Sequence, residues 1–313
     1  MTETGRPPQN IRAIAVIGCG LIGASWAALF SAFGHQVRLW DAAPEWKTRA
    51  QNAVADALRQ LRELGASGNG PLTFSDTLED AVADVDWVQE NVPEHLDVKR
   101  DVFKRICSAA SPTSVIASST SSFTWTQLEE LVSQPARLIT AHPFNPPHLM
   151  PLVEVYAADE SIGAMSREFF ASLGKQPIML RRPVTGHVAN RLASALWREA
   201  VNIVAMGVAD VADVDLAMTE GPGLRWSIVG PHMAYHLGGG AGGIRHYLGH
   251  LGDSQARRWA DLGTPTLTAD VKEQLARGVE HEAAGRSIEQ IAQARDQMIV
   301  DVLKLRRNRS TAA

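Results

Sequence analysis

The sequence has few cysteines, little net charge and no long uninterrupted hydrophobic run. Its 313 residues include only two cysteines, Cys19 and Cys107, too few for a disulfide framework and consistent with a reducing compartment. With 30 Lys and Arg against 34 Asp and Glu, the net charge of −4 lacks the basic excess of a general nucleic-acid binder. We therefore expect neither a disulfide-stapled protein nor one with a nucleic-acid partner.

No segment is apolar for long enough to predict a membrane-spanning helix. The longest apolar stretch, residues 14–33, is interrupted by glycines. The first nine residues are polar and include Glu3 and Arg6, unlike a signal peptide. We therefore expect a cytoplasmic protein without membrane association. The length is about twice the ~150-residue domain size, so two domains are expected.

A strand, a glycine-rich turn, a helix and a second strand follow one another near the N-terminus. Residues 11–17 are apolar and β-branched, as in a strand buried on both faces. The pattern Gly-x-Gly-x-x-Gly follows, then a helix over 24–33 and a strand over 35–40. This order predicts a βαβ unit.

The glycine turn and the acidic residue after the second strand predict a dinucleotide site. The first glycine permits the tight turn, the second lets the backbone approach a pyrophosphate, and the third allows close helix packing. Free N–H groups at the helix start would meet the phosphates. The aspartate would accept the ribose hydroxyls and repel a 2′-phosphate, which favours NAD over NADP; the alternative is a purely structural turn. The candidate cofactor-binding residues are Gly18, Gly20, Leu21, Ile22, Gly23 and Asp41.

The secondary-structure pattern changes near residue 185. Strands alternate with helices before it, which predicts a mostly parallel sheet covered on both faces. After it no strand pattern occurs, and helices are predicted over 188–206 and 287–305. The expected fold class is α/β, with a Rossmann-type, mostly parallel sheet domain over 1–184 and an all-helical domain over 185–313.

A histidine and a glutamate twelve residues apart form a candidate acid–base pair. His142 lies before a proline-rich loop, and Glu154 lies in the strand that follows. A loop followed by a strand can return the carboxylate to the imidazole, where it would fix the tautomer of a general base. From spacing alone, a core histidine with an unrelated glutamate is the more common arrangement.

Five segments in this order resemble the 3-hydroxyacyl-CoA dehydrogenase superfamily over nearly the whole chain. The segments are residues 18–23 with Asp41, 90–94, 118–122, 142–154 and 186–191. The resemblance implies an NAD-dependent dehydrogenase with His142 and Glu154 as the catalytic dyad. It further implies that Ser121 and Asn190 contact the substrate oxygen.

The resemblance also implies a role for two further residues and a homodimeric state. Glu94 and Lys99 fall where family members line the nicotinamide end of the cofactor. The family forms homodimers through the C-terminal domain, and the apolar stripes of the predicted helices exceed what one small domain buries alone. We therefore expect a homodimer through residues 185–313.

Within the superfamily, the sequence is most similar to the branch of L-carnitine and L-gulonate 3-dehydrogenases. Only 30 residues separate Asp41 from Leu72, too few for the helical arm with which acyl-CoA members meet CoA. Residues 221–226 and 230–231 are similar to that branch. The resemblance implies oxidation of a small polar L-3-hydroxy acid to its 3-oxo acid, with L-carnitine as the leading substrate. L-gulonate and L-3-hydroxyacyl-CoA are the alternatives, and a catalytically silent structural protein is a further one.

Two residues of the helical domain are candidate substrate contacts, and no metal is expected. Arg225 offers a planar fork for a carboxylate, and Trp226 offers an aromatic face for a trimethylammonium group. Structural roles for both are equally compatible with the sequence. Two His-x-x-x-His pairs, at 232/236 and 246/250, lack an evident third ligand, so metal binding is not predicted.

Overall fold

The computed structural model describes residues 11–310, and side chains as far as residue 307. The polar segment 1–9, on which the expectation of no signal peptide rests, lies outside the described residues. The described chain forms two compact units, residues 11–191 with 294–310, and residues 192–293. Among the described residues, no helix is both long and apolar enough to cross a membrane.

One eight-stranded sheet forms the centre of the first unit. Its order is β3-β2-β1-β4-β5-β6-β7-β8, and only the β6–β7 pair is antiparallel. The strands are β1 (Ala13–Ile17), β2 (Gln36–Trp40), β3 (Leu72–Phe74), β4 (Trp87–Glu90), β5 (Val115–Ser118), β6 (Leu138–Pro143), β7 (Leu152–Ala157) and β8 (Gln176–Met179).

Helices accompany the sheet and then make up the rest of the described chain. Those between strands are α1 (Leu21–Ala32), α2 (Trp46–Glu63), α3 (Leu78–Val82), α4 (Leu96–Ala109), α5 (Trp125–Leu128) and α6 (Glu160–Ser172). Those after the sheet are α7 (Ala189–Ala205), α8 (Val211–Glu220), α9 (Pro222–Trp226), α10 (Pro231–Gly238), α11 (Gly243–Asp261), α12 (Ala269–Ala283) and α13 (Ile288–Ser310). Short 3-10 helices occupy Glu129–Leu131, Pro135–Arg137 and Gly240–Gly242. The predicted fold class is confirmed.

The predicted domain boundary at 184/185 stays a prediction. The two compact units divide at 191/192 instead, inside α7, and the last part of α13 belongs to the first unit. Helices α7 and α13 therefore each contribute residues to both units.

The glycine turn allows α1 to lie directly against the sheet. A Cβ atom on Gly23 would fall 1.8 Å from the carbonyl oxygen of Gly18, so only glycine fits there. Gly18 itself has a φ of +85°, in the left-handed region that favours glycine. Every residue of α1 from Gly23 to Ala32 is buried, including the large Trp26 and Phe30.

Aromatic rings fill the core between α1, β4 and α6. Trp26 stacks on Phe30 at 5.4 Å between centroids, and Trp87 meets Phe169 at 4.6 Å. Neither α6 nor β8 was predicted from the sequence. Strand β8 is a short, mostly exposed edge strand that contains Pro177, and proline weakens a strand pattern.

Candidate active site

A cavity of about 450 Å³ lies in the first unit at the carboxyl ends of β4, β5 and β6. Open α/β sheets bind their ligands at this edge. The predicted site residues that line the cavity are Ile22, Glu94, Lys99, Ser121, His142 and Asn190. The structure thus brings together residues that are up to 168 positions apart in the sequence.

His142 and Glu154 are paired directly across the antiparallel strands β6 and β7. His142 Nδ1 lies 2.8 Å from Glu154 Oε2, and both side chains are buried. A proton on Nδ1 would be donated to the carboxylate, which leaves Nε2 as the basic nitrogen of the neutral ring. The twelve-residue spacing is therefore set by the loop over residues 144–151, which joins the two paired strands.

The second oxygen of Glu154 binds the amino-terminal end of α7. Oε1 accepts hydrogen bonds from the amides of Val188, at 2.7 Å, and Ala189, at 3.0 Å. Burial works to raise the pKa of Glu154, but the hydrogen bond from His142 and those from the two amides outweigh it. The pKa of Glu154 therefore lies below its usual value, and the group stays ionised.

Asn190 and Ser121 present polar groups on the cavity side of the imidazole. Asn190, in the first turn of α7, places Nδ2 3.3 Å from His142 Nε2. Ser121 lies in the loop after β5, where its amide donates to Glu94 Oε1 at 2.6 Å. Its hydroxyl lies 3.2 Å from the same oxygen. Glu94 therefore anchors the serine loop beside the cavity.

A buried ion pair that was not predicted from the sequence lies below this loop. Glu90, at the end of β4, is fully buried and lies 2.8 Å from Lys99 Nζ, which is equally inaccessible. Ser118 donates to the other oxygen of Glu90 at 2.5 Å. Lys99 also lies 3.7 Å from Glu94. Lys99, which was predicted at the nicotinamide end, thus contacts both Glu90 and Glu94. Glu90 lies in the segment 90–94 that resembles the superfamily, but no role was predicted for it.

The loop between β6 and β7 is also held by buried polar groups that were not predicted. The amide of His148 donates to Ser25 Oγ on α1 at 2.8 Å. Lys175 donates to the carbonyl oxygens of Pro147 and, at 3.0 Å, Met150. Burial lowers the pKa of Lys175 to about 7, since its contacts here are neutral carbonyls. These contacts fix the backbone that connects the paired histidine and glutamate.

The glycine turn has the shape that a dinucleotide needs. At Gly20 a Cβ atom would meet nothing within 4 Å, and α1 begins at the next residue without a side-chain cap. Amides of the first helical turn can then bind an anion. Asp41 accepts from the amides of Cys19, at 2.6 Å, and Ala43, at 2.8 Å, which orients its carboxylate after β2. The residues therefore fit a dinucleotide.

The remaining candidates lie in the second unit. Arg225 and Trp226 end α9, and the Arg225 side chain is exposed. Their substrate contacts stay predictions. His246 and His250 stack at 5.9 Å, but within residues 11–310 no three His, Cys, Asp or Glu side chains gather as a metal site would require.

Known proteins match the chain along most of its length. Residues 13–183 match the NAD binding domain of 3-hydroxyacyl-CoA dehydrogenase, and residues 186–276 match its C-terminal domain. An L-carnitine dehydrogenase of Streptomyces coelicolor is 43% identical over 303 residues, which are 95% of either chain. That of Oceanobacillus iheyensis is 39% identical over 301 residues, 94% of this chain and 98% of the relative.

A solved structure is similar over nearly the same length. The 5-formyl-3-hydroxy-2-methylpyridine 4-carboxylic acid 5-dehydrogenase, described as an NAD⁺-dependent dismutase, superposes with a TM-score of 0.81. Its sequence is 30% identical, and the match covers 94% of this chain and 98% of that one. The sheet and helices therefore have a close counterpart of known structure.

The ionised Glu154 should stabilise the fold in a pH-dependent way. Because its pKa is lower in the folded than in the unfolded chain, its contribution is present at neutral pH and is lost as the pH falls through the folded pKa. Glu154→Gln should lower the free energy of unfolding at pH 7 by about 1–3 kcal/mol. The difference from the wild type should narrow below about pH 4.

Denaturant unfolding from about pH 7 to about pH 3 measures this difference. The exposed Glu168 on α6 provides the matched control, and Glu168→Gln should change stability by less than about 0.5 kcal/mol. A Glu154→Gln difference that stays constant across the pH range would contradict the assignment of the charge.

Proposed function

The chain belongs to the 3-hydroxyacyl-CoA dehydrogenase family, and on that basis we propose that it oxidises L-carnitine to its 3-oxo product with NAD. It is an NAD-dependent 3-hydroxy acid dehydrogenase. The observation that carries the proposed chemistry is the buried His142–Glu154 pair, whose second imidazole nitrogen, Nε2, faces a cavity beside Asn190.

His142 acts as the general base of the oxidation. Its Nε2 accepts the proton of the substrate hydroxyl, while Nδ1 keeps its hydrogen bond to Glu154. The ionised carboxylate stabilises the imidazolium that results, because the opposite charge lies 2.8 Å away in a buried site. The glycine turn and Asp41 would hold NAD, which would supply the hydride acceptor for the substrate carbon.

Ser121 and Asn190 hold the reacting oxygen. The Asn190 amide, 3.3 Å from His142 Nε2, can donate to the oxygen as it becomes a carbonyl. The Ser121 hydroxyl lies in a loop whose position is set by Glu94. The Asn190 amide keeps a second hydrogen for that oxygen, whereas the Ser121 hydroxyl turns from Glu94 to donate to it.

Two observations favour carnitine over an acyl-CoA substrate. The relatives named as L-carnitine dehydrogenases are 36–43% identical over at least 94% of this chain. Between β2 and β3 the chain has only α2 and a short loop, with no second helix to form an arm.

A substrate screen tests the proposal. NADH formation, followed by its near-ultraviolet absorbance, should be fastest with L-carnitine when compared with L-gulonate, 3-hydroxybutyrate and 3-hydroxybutyryl-CoA. His142→Ala should lower kcat by about 10²- to 10⁴-fold because the base is lost. The affinity for NAD, measured by titration calorimetry, should be nearly unchanged.

The outcomes of the screen separate the alternatives. Faster turnover of 3-hydroxybutyryl-CoA or L-gulonate would replace carnitine by that substrate. The absence of NADH formation with all of these compounds would refute the proposed activity. Unchanged turnover in His142→Ala would refute the assigned base.

Asp41 should determine the preference for NAD over NADP. Asp41→Asn keeps the size of the side chain and removes the charge that binds ribose hydroxyls and repels a 2′-phosphate. We expect kcat/KM with NAD to fall about 10- to 100-fold. The ratio of NADP to NAD activity should rise, because the repulsion is gone. Steady-state kinetics with both cofactors measures the ratio, and the exposed Asp76→Asn serves as the control. An unchanged ratio would exclude this role.

The second unit supports the proposal of a homodimer. Among its large apolar side chains only Val201, Val204 and Val211 are buried. Many others are more than half exposed, which is unusual for a monomer surface. They include Leu192, Trp197, Met206, Val208, Leu216, Leu224, Ile228, Met233, Leu237, Leu248, Trp259 and Val279. A second copy of the chain would bury such a surface in a two-fold interface.

Light scattering after size exclusion should give about twice the chain mass of 33.9 kDa. A monomer at micromolar concentration would contradict the dimer.

We also infer a cytoplasmic location. Both cysteines are free thiols, which is the state that a reducing compartment maintains.

A further inference from the structure

His187 is a buried histidine beside the active site that the proposed mechanism leaves without a role. Only 3% of its surface is exposed, and its φ is +51°. Its amide donates to the carbonyl oxygen of Val184 at 3.1 Å. The next two residues, Val188 and Ala189, supply the amides that bind Glu154. The turn that holds the carboxylate therefore also places this imidazole.

The ring of His187 lies flat against the ring of His142. Their centroids are 4.7 Å apart, and the planes differ by 15°. Phe144 meets the His142 ring edge-on, with the centroids 5.6 Å apart and the planes at 68°. With Nδ1 bound to Glu154, the imidazole of His142 is thus constrained at its edge and on a face.

The ring of His187 is neutral at physiological pH. Burial, together with the nearby His142, lowers the pKa of His187 to about 4 against the opposing effect of Glu154 and Glu94. Its Nδ1 is buried and has no hydrogen-bond partner among the described residues. The ring therefore neither competes for the proton that His142 accepts nor donates from Nδ1 to a neighbour.

We propose that His187 is a positioning residue for the catalytic base: its ring fixes the plane of the His142 imidazole and keeps water from that face. The proposal rests on the proposed function, which makes His142 the base. With one face covered, the imidazolium depends on Glu154 for its stabilisation, and Nε2 keeps its direction toward the cavity. The other charged groups near the two rings are Glu94, after β4, and Lys99, on α4.

Two substitutions separate the ring face from the rest of the side chain. Asparagine tolerates a positive φ better than most residues, so His187→Asn removes the ring with little backbone cost. His187→Phe keeps a flat ring and removes both nitrogens. His187→Asn should lower kcat about 10- to 100-fold, because a small misplacement of a catalytic group has effects of this size. The KM for NAD should be nearly unchanged.

The pH profile provides a measurement that general destabilisation would not change. In His187→Asn, water can reach the imidazolium of His142 and favour the charged form, so the acid limb of kcat/KM should move to higher pH. His187→Phe should keep the wild-type acid limb and a kcat within about three-fold of the wild type.

The half-buried His35 provides the matched control. It packs edge-on against Phe169 at 5.6 Å, at the amino-terminal end of β2 and away from the cavity. His35→Asn should lower the Tm without moving kcat or the acid limb. The proposal is overturned if His187→Asn keeps both kcat and the acid limb. It is also overturned if His187→Phe loses as much kcat as His187→Asn while its Tm is no lower than that of His187→Asn. Failure of the proposed function is distinguishable, because the wild type would then form no NADH with any hydroxy acid.

Discussion

The site depends on one carboxylate that binds two structural elements at once. Glu154 accepts from His142 through one oxygen and, through the other, from the amides of Val188 and Ala189, where α7 begins. The strand pair β6–β7 brings the carboxylate to the imidazole, and the helix start satisfies its remaining charge. Because Asn190 lies in the same helical turn, the contact that orients the base also places the group expected to hold the substrate oxygen.

The charge buried beside the cavity is compensated by an opposite charge. Lys99 contacts Glu90 and Glu94, and Glu94 in turn fixes the loop of Ser121. An uncompensated charge at Glu90 or Lys99 would be costly, since both side chains are fully removed from water, whereas Glu94 is exposed. The polar loop beside the cavity is thus held by a chain of ionic and hydrogen-bonded contacts that begins inside the sheet.

The sequence predicted features formed by neighbouring residues better than contacts between residues far apart in the chain. The glycine turn and Asp41 were predictable because strand, turn and helix are contiguous. The pairing of His142 with Glu154 followed from a loop and a strand, and the resemblance supplied the roles of both residues. The role of Glu90 was not predictable, because it depends on a lysine nine residues away and a serine on the neighbouring strand. The stacking of His187 likewise joins residues 45 positions apart.

Cys19, the cysteine inside the glycine turn, lies in surroundings that lower its reactivity toward oxidants. Burial, together with the negative charge of Asp41, raises the pKa of the Cys19 thiol well above its usual range. Peroxides and alkylating reagents attack thiolates, and a thiol kept protonated inside the fold offers them no nucleophile. The half-buried Cys107 lies in α4, outside the turn. The buried sulfur of Cys19 in the glycine turn is therefore a poor target for oxidants in the folded chain.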